Sequence, residues 1–385
     1  MKPTARTIVG MRRSGIREIM DLAAGRANML HLEVGEPNFP TPSHVIEAAA
    51  QAAADGFTKY TPNRGLIEVR ETMAKKISER NGFEVGVDQI VVTTGAVNGI
   101  IQALMVICDP GDVILLPDPG WPNYEMMATI LEAPVRRYPL IPEVGFTPDL
   151  EALDHLCAEN PRAKVLLVNS PGNPTGGVFD RTVVEGILEI AARHDLYVVS
   201  DECYEDIIFE GAHVSPASLD DSGRVVSVFS VSKSYAMTGW RIGYVAASEE
   251  LAALISKVQE AVTSCATAVA QKAAQAALSG DQACVLEMRA SYKQRRDRAA
   301  ELLEEAGLLL SRPRGAFYIM ADSSATHMDS YELCRRLVLE RGVAVAPGET
   351  FGPSGTGMVR ISLATALPDL EEGVRRFTSA VLAWS

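Results

Sequence analysis

The chain predicts an α/β fold, a large doubly wound domain on a mostly parallel sheet with a smaller α+β domain attached. Three observations carry this. Apolar runs of strand length alternate with Ala- and Leu-rich helical stretches between Gln89 and Leu278, the pattern of a sheet covered on both faces. Beyond that region the strand-like runs shorten and sit between helices, as in an α+β unit. A chain of 385 residues also exceeds one small core and suits a large domain plus a smaller one. The expected divisions are 1–44 (an N-terminal arm and part of the small domain), 45–285 (the large domain) and 286–385 (the small domain).

The elements follow in order. Arg6, Arg12, Arg13 and Arg17 make the N-terminus basic, but no apolar targeting core follows. Ile16–Leu22 carries acids among its apolar positions and reads as a short amphipathic helix after an arm. Strands are expected at Gln89–Thr93, Val113–Leu116, Val165–Val168, Tyr197–Ser200, Val225–Phe229 and Tyr244–Ala246. Helices are expected at Val97–Ile107, Arg181–Arg193 and Leu251–Leu278, the last rich in alanine and able to pack closely. A charged helix over Cys284–Glu305 leaves the large domain. The small domain then has strands Ala316–Met320 and Met358–Leu363 and helices Tyr331–Glu340 and Leu370–Ala383. With no internal repeat or low-complexity linker, the two domains should share a wide interface.

Composition excludes several classes. The net charge of −13 argues against nucleic acid or an anionic membrane as partner, while leaving room for anionic substrates held by local arginines. A hydrophobic content of 47% describes an ordinary soluble protein, and no segment approaches a membrane span. The six cysteines are scattered without a Cys-x-x-Cys pair, which suits a reduced protein of the cytoplasm. The six histidines lack metal-ligand spacing, so no metal is expected.

The chemistry gathers around Lys233. It follows the apolar run Val225–Phe229 in Ser230-Val231-Ser232-Lys233 and precedes Thr238-Gly239-Trp240-Arg241. An amine just past a strand end, with hydroxyls before it and an arginine after it, suits an aldehyde cofactor carrying a phosphate. Lys233 would form a Schiff base, and Ser230 and Arg241 would bind the phosphate. Gly95-Ala96-Val97, a glycine turn opening a helix, offers free N–H groups and a dipole to the same phosphate, although many plain β–α connectors look alike. Trp121, in Asp118-Pro119-Gly120-Trp121, could stack on a pyridine ring or simply pack in a turn. Asn169-Ser170-Pro171-Gly172-Asn173-Pro174-Thr175-Gly176 is far more specific, with two prolines and two glycines fixing an unusual turn. Asp201 ends the strand Tyr197–Ser200, where a carboxylate beneath a pyridine nitrogen would keep it protonated. Glu202, Glu205 and Asp206, without a histidine nearby in sequence, read as a solvated strand end rather than a metal site.

Together these segments resemble the fold-type I pyridoxal-phosphate (PLP) enzymes, in particular the class I/II aminotransferases, from about Ser14 to Ala364 and in family order. The resemblance makes Lys233 the Schiff-base lysine, with Ser232 beside it at the cofactor. It makes Trp121 the stacking residue, and Asn173 and Tyr204 the partners of the cofactor's phenolic oxygen. Asp201 becomes the partner of the ring nitrogen. Arg360, in Met358-Val359-Arg360-Ile361, becomes the guanidinium that holds the substrate α-carboxylate, with Gly35 in the loop closing over it and Trp121 and Asn173 alongside. Tyr60 would reach the phosphate of a neighbouring subunit, so the resemblance implies a homodimer with shared sites. It suggests cis bonds at Asn173–Pro174 and Asp118–Pro119.

The implied activity is ping-pong transfer of an amino group from an L-amino acid to a 2-oxo acid, with Lys233 moving the proton. A PLP-dependent C–S β-lyase would use the same residues, and an aminocyclopropane-carboxylate synthase-like reaction is more distant. A regulator built on such a domain would need a DNA-binding module, and the matching region already begins near Ser14. Arg64 and Arg314 are candidate contacts for a substrate side-chain anion, or surface charges.

Overall fold

The computed structural model describes residues 2–385. An eight-stranded sheet forms its centre, in the spatial order Ile90–Thr93, Gly243–Ala246, Val225–Ser230, Tyr197–Asp201, Ala163–Asn169, Val113–Asp118, Val135–Ile141 and Thr147–Pro148. The strands from Val225–Ser230 to Val135–Ile141 pair in parallel. Gly243–Ala246 runs antiparallel to both its neighbours, and Thr147–Pro148 is antiparallel at the far edge.

Why the strands are apolar throughout follows from their position between two helical layers. Ile114, Leu116, Val165, Leu167, Val199, Val226, Val228 and Val245 point to one layer, with the helix Ala96–Ile107. Their chain neighbours Leu115, Leu166, Val168, Val198 and Val225 point to the other, with helices Leu150–Glu159 and Arg181–Arg193. Ile90, Val92, Phe229 and Tyr244 meet helices Ser43–Ala54, Ile67–Lys76 and Ala268–Ser279.

The smaller α+β domain carries a three-stranded antiparallel sheet, Tyr318–Asp322 against Met358–Ser362 against Ala346–Pro347. Leu30–His31 pairs in parallel with Val343–Ala344, so the N-terminal segment is part of this domain. Helices Gly15–Ala23, Ala283–Glu305 and Leu367–Trp384 contribute Ile19, Tyr292, Leu303 and Phe377 to its core. Backbone bonds tie the domains together: Arg314 and Gly315 both donate to Gly176 O, at 2.9 and 3.0 Å.

Two elements differ from expectation. The single helix over Leu251–Leu278 is broken into Glu249–Val262 and Ala268–Ser279. Thr263–Thr267 supplies Thr, Ser and Cys, poor helix formers, and Ser264 turns left-handed at φ 60°. The strand expected at Ala316–Met320 begins at Tyr318, because Ala316 also lies at positive φ (54°) and turns the chain. Cis bonds occur at Asp118–Pro119 and Asn173–Pro174, and additionally at Ser170–Pro171.

The helix Ala96–Ile107 can approach the sheet only because position 99 is glycine. A Cβ there would stand 2.8 Å from Val245 Cγ2 and 3.2 Å from Val228 Cγ1. Gly99→Val is expected to lower stability by about 1–3 kcal/mol through overpacking. A urea midpoint that does not fall would contradict this account of the packing.

Candidate active site

Parallel pairing brings strand carboxyl ends to one edge, where α/β sheets bind ligands. Here Asn169 lies opposite Asp201 in the register, Asp201 opposite Val228, and Ser230 opposite Gly243. A cavity of about 530 Å³ opens above this edge. Gly35, Ala96, Val97, Trp121, Asn173, Asp201, Tyr204, Ser230, Ser232, Lys233, Arg241 and Arg360 all line it. Gly95 stands just behind the lining, and Tyr60 is elsewhere, 91% exposed on its loop.

Lys233 leaves the end of Val225–Ser230 partly buried, and its Nζ donates to Gly35 O at 2.7 Å. Burial pushes its pKa down to about 8, helped by the Arg360 and Arg241 charges against the opposing Cys203 and Glu36. The amine is therefore available in neutral form near physiological pH. Gly35 is held to glycine by close approach, since a Cβ would fall 1.9 Å from Tyr318 Oη.

On one side of Lys233 lies an anion cup. Gly95 caps the helix Ala96–Ile107 at φ 81° with no side-chain cap, so the first-turn N–H groups of Ala96 and Val97 have no intrahelical acceptor. Arg241, itself left-handed at φ 51°, brings its guanidinium so close that a Cβ on Gly95 would be 2.5 Å from Nη2. Ser230 and Ser232 are buried beside it, the Ser232 N–H donating to Ser230 Oγ at 3.1 Å. Gly243 completes the cup from below: a Cβ there would meet Ala96 N at 2.8 Å.

At the floor, Asp201 is 5% exposed. Tyr124 Oη donates to its Oδ2 at 2.6 Å and the Cys203 N–H to its Oδ1 at 3.1 Å. Burial raises the Asp201 pKa, while these two bonds favour the ionised form and Glu202 works against them. Trp121 packs edge-on to Tyr124, with ring centroids 5.2 Å apart.

Arg360 forms the opposite wall, 1% exposed. It donates to Asn173 Oδ1 at 3.0 Å and to Glu33 O, and stacks over Tyr318 and Phe351. Its Nε is buried without a partner, and among the described residues no carboxylate pairs with it. Burial lowers its pKa, so the guanidinium calls for an incoming anion. Asn169 links wall to floor: its Oδ1 accepts from the Asn173 N–H at 2.8 Å, and its Nδ2 donates to Asp201 O at 3.0 Å. Tyr204 Oη and Tyr318 Oη share a hydrogen bond at 2.8 Å.

Several lining residues escaped the sequence reading: Tyr124, Tyr318, Glu36 and Met126, and Arg13, Ile16, Arg17 and Met20 of the N-terminal segment. Tyr124 sits three residues after Trp121, one helical turn on, a spacing that could have suggested it. Tyr318 carried no local signal. Arg64 and Arg314, considered for anion binding, bond backbone carbonyls of Asp88 and Val178 and are absent from the lining. The acids after Asp201 are not a solvated strand end: Glu202 is 0% exposed and His213 Nε2 lies 2.7 Å from its Oε2. The histidine comes from eleven residues downstream, across a loop that sequence spacing does not reveal.

A family model for aminotransferases of class I and II matches residues 27–377. This chain belongs to that family. It is 38% identical over 380 residues to the aspartate/prephenate aminotransferase of Thermus thermophilus, covering 98% of this chain and 96% of the relative. A probable aspartate aminotransferase of Methanocaldococcus jannaschii is 38% identical over 94% of this chain and 95% of its own length. Among solved structures, the Thermus thermophilus aspartate aminotransferase with maleate superposes at a TM-score of 0.93, with 37% identity over 99% of this chain and 100% of the other. The aromatic aminotransferase of Pyrococcus horikoshii does so at 0.89, with 35% identity over 96% and 99%. The enzyme is a transaminase, and the C–S lyase alternative is not favoured by these relatives.

The Lys233 pKa carries a stability consequence for this aminotransferase. Between about 8 and the ordinary 10.5 the unfolded chain binds more protons at this amine than the folded one. The folding penalty is full below that window and fades as pH rises through it. Lys233→Met should therefore stabilise protein dialysed free of small molecules near neutral pH, by up to about 3 kcal/mol for a shift of this size. The gain should vanish toward the upper end of the window. Calorimetric unfolding temperatures that rise equally at all pH values would overturn this.

Proposed function

We propose that this aminotransferase uses pyridoxal phosphate, bound by the residues around Lys233, to move an amino group from an L-amino acid to a 2-oxo acid in two half-reactions. The observation that carries the reading is one amine, its pKa pushed down to about 8, set among three complementary charges. These are the anion cup of Ala96, Val97 and Arg241, the buried Asp201, and the unpaired Arg360.

The residues fit that cofactor on chemical grounds. The uncapped helix N-terminus, Ser230, Ser232 and Arg241 suit a phosphate, and the positive φ of Gly95 keeps a side chain out of the cup. Asp201, oriented by Tyr124 and the Cys203 N–H, suits a protonated ring nitrogen. Trp121 offers a ring face, and Asn173 and Tyr204 polar groups. When bound, pyridoxal phosphate supplies a ring that withdraws electrons from the substrate's α-carbon.

The chain's own groups then have distinct tasks. Arg360 takes the substrate α-carboxylate on its guanidinium, and Gly35 lines the same cavity. Lys233 Nζ, with its pKa lowered to about 8, removes the α-proton in its neutral form. Asp201, oriented by Tyr124 and the Cys203 N–H, would keep a proton on the ring nitrogen of the bound cofactor. Ile16, Met20, Val97 and Met126 give the remaining wall an apolar character, with Arg13 and Arg17 among the lining. Such a wall accepts an apolar side chain, and the arginines offer a place for a terminal carboxylate.

Tyr60 supports a shared site. A tyrosine 91% exposed on a loop outside its own cavity suits reach into a second subunit. We therefore read the enzyme as a homodimer. The free cysteines Cys108, Cys157, Cys203, Cys265, Cys284 and Cys334 suit a reducing compartment, the cytoplasm. Among the described residues no helix is long and apolar enough to cross a membrane.

Lys233→Ala should lower turnover by at least the roughly 10²–10⁴-fold of a lost general acid–base. Borohydride reduction of the loaded enzyme should label Lys233 and no other lysine, and peptide mapping decides. Asp201→Ala should slow α-proton removal far more than it weakens substrate binding; equal losses in single-turnover kinetics would refute its role. Lys233→Ala and Tyr60→Ala, each inactive alone, should partly restore activity when refolded together. No recovery, with a monomer mass by light scattering, would remove the shared site.

A further inference from the structure

Asp201 lines the cavity, and the next residue, Glu202, belongs to a buried ionic layer outside the lining. His213 Nε2 meets Glu202 Oε2 at 2.7 Å and Ser215 Oγ donates to Oε1 at 3.0 Å. Three residues on, Glu205 pairs with Lys76 and accepts from Asn81 Nδ2 at 2.6 Å. Lys76 Nζ also donates to Asn81 Oδ1 at 2.9 Å and lies 4.5 Å from the Phe229 ring centroid. The side chains of Glu202, Glu205 and Lys76 are 0%, 7% and 2% exposed, and that of His213 is 9% exposed.

Two carboxylates adjacent in sequence and both buried cannot readily stay ionised without compensation, because each raises the cost of charging the other. Lys76 is committed to Glu205. The remaining cation within reach of Glu202 is an imidazolium at His213. We propose that His213 is a positioning residue of the transamination reaction: as an imidazolium it cancels the charge of Glu202, and so keeps the neighbouring Asp201 ionised for the ring nitrogen. This rests on the reading of Asp201 given above.

The electrostatics agree with the geometry. Burial alone would lower the His213 pKa, but the hydrogen bond and charge of Glu202, with Glu205, outweigh burial and the opposing Lys76 and raise it. Glu202 in turn pushes the Asp201 pKa upward, the effect that a charged His213 would offset. Ligand atoms of Glu202, Glu205 and His213 lie within 4.8 Å of one another, as a metal site would require. The Lys76 ammonium bonded to Glu205 already supplies the cation there, which favours a proton on His213 over a metal ion.

The test compares His213→Gln, Glu202→Gln and the double variant with the native holoenzyme. In His213→Gln the bare Glu202 charge should move the acid limb of the α-proton removal rate up by about one pH unit, a tenfold loss of rate on that limb. The double variant, which removes both charges, should return the limb and the rate to within about threefold of native, a size set by the residual coupling of neighbouring groups. An independent readout is the imidazole ¹⁵N titration of His213 in cofactor-free protein. It should lie above the ordinary value of about 6.5 in the native chain and fall back in Glu202→Gln. A neutral His213 near pH 7, an unmoved acid limb in His213→Gln, or a double variant as slow as the single would each overturn the proposal. Asp201→Ala separates the two layers of argument. If it disables proton removal while His213→Gln leaves the limb in place, only the role of His213 fails. If Asp201→Ala is harmless, the reading of Asp201 fails and this proposal with it.

Discussion

The site depends on the register of three parallel strands. Asn169 pairs with Asp201 and Asp201 with Val228, so the Asn169 link, the Asp201 floor and the lysine loop all leave the sheet at one level. A slip of one residue would turn Asp201 away from the cavity and bring Glu202 in. The register is enforced by packing, since Val198 and Val199 already belong to opposite helical layers. Asn169 carries the constraint outward: it holds the Asp201 carbonyl and the Asn173 amide, and Asn173 in turn accepts from Arg360. Strand pairing in the large domain thereby sets the position of a guanidinium from the small one.

Burial does the electrostatic work within that frame. It lowers the Lys233 and Arg360 pKa values and raises that of Asp201, so each charge there is costly to keep and gains more from a partner of opposite sign. Although the chain carries a net charge of −13, Arg13, Arg17, Lys233, Arg241 and Arg360 concentrate positive charge at the cavity. An acidic protein can in this way attract anions to one place.

The scaffold leaves substrate choice to few residues. Relatives named for aspartate and for aromatic amino acids share this fold, so side-chain preference resides in wall residues rather than in topology. In this chain the apolar side of the cavity is drawn from three distant places: the N-terminal helix with Ile16 and Met20, the first turn of the helix Ala96–Ile107 with Val97, and the helix with Met126.

The sequence by itself determined the fold class and the aminotransferase family, and it named twelve of the residues that line the cavity. Strand ends marked by Ser230, Asp201 and Asn169 and turns marked by Gly95, Pro171 and Pro174 are local signals, each written within a few residues of its own strand. Val135–Ile141 went unread as a strand because Arg136, Arg137 and Pro139 interrupt its apolar run, which is tolerated next to the sheet edge, where Thr147–Pro148 pairs only with Leu140 and Ile141. The break at Thr263–Thr267 was hidden by the alanines on either side. Tertiary structure alone decided the rest. Tyr318 over Gly35, Tyr124 under Asp201 and His213 against Glu202 are contacts between segments whose separation along the chain carries no period or motif. For the same reason the acids after Asp201 looked solvated in sequence and are buried in the fold. Charge type is local information, whereas burial and pairing depend on which distant segments close over a side chain.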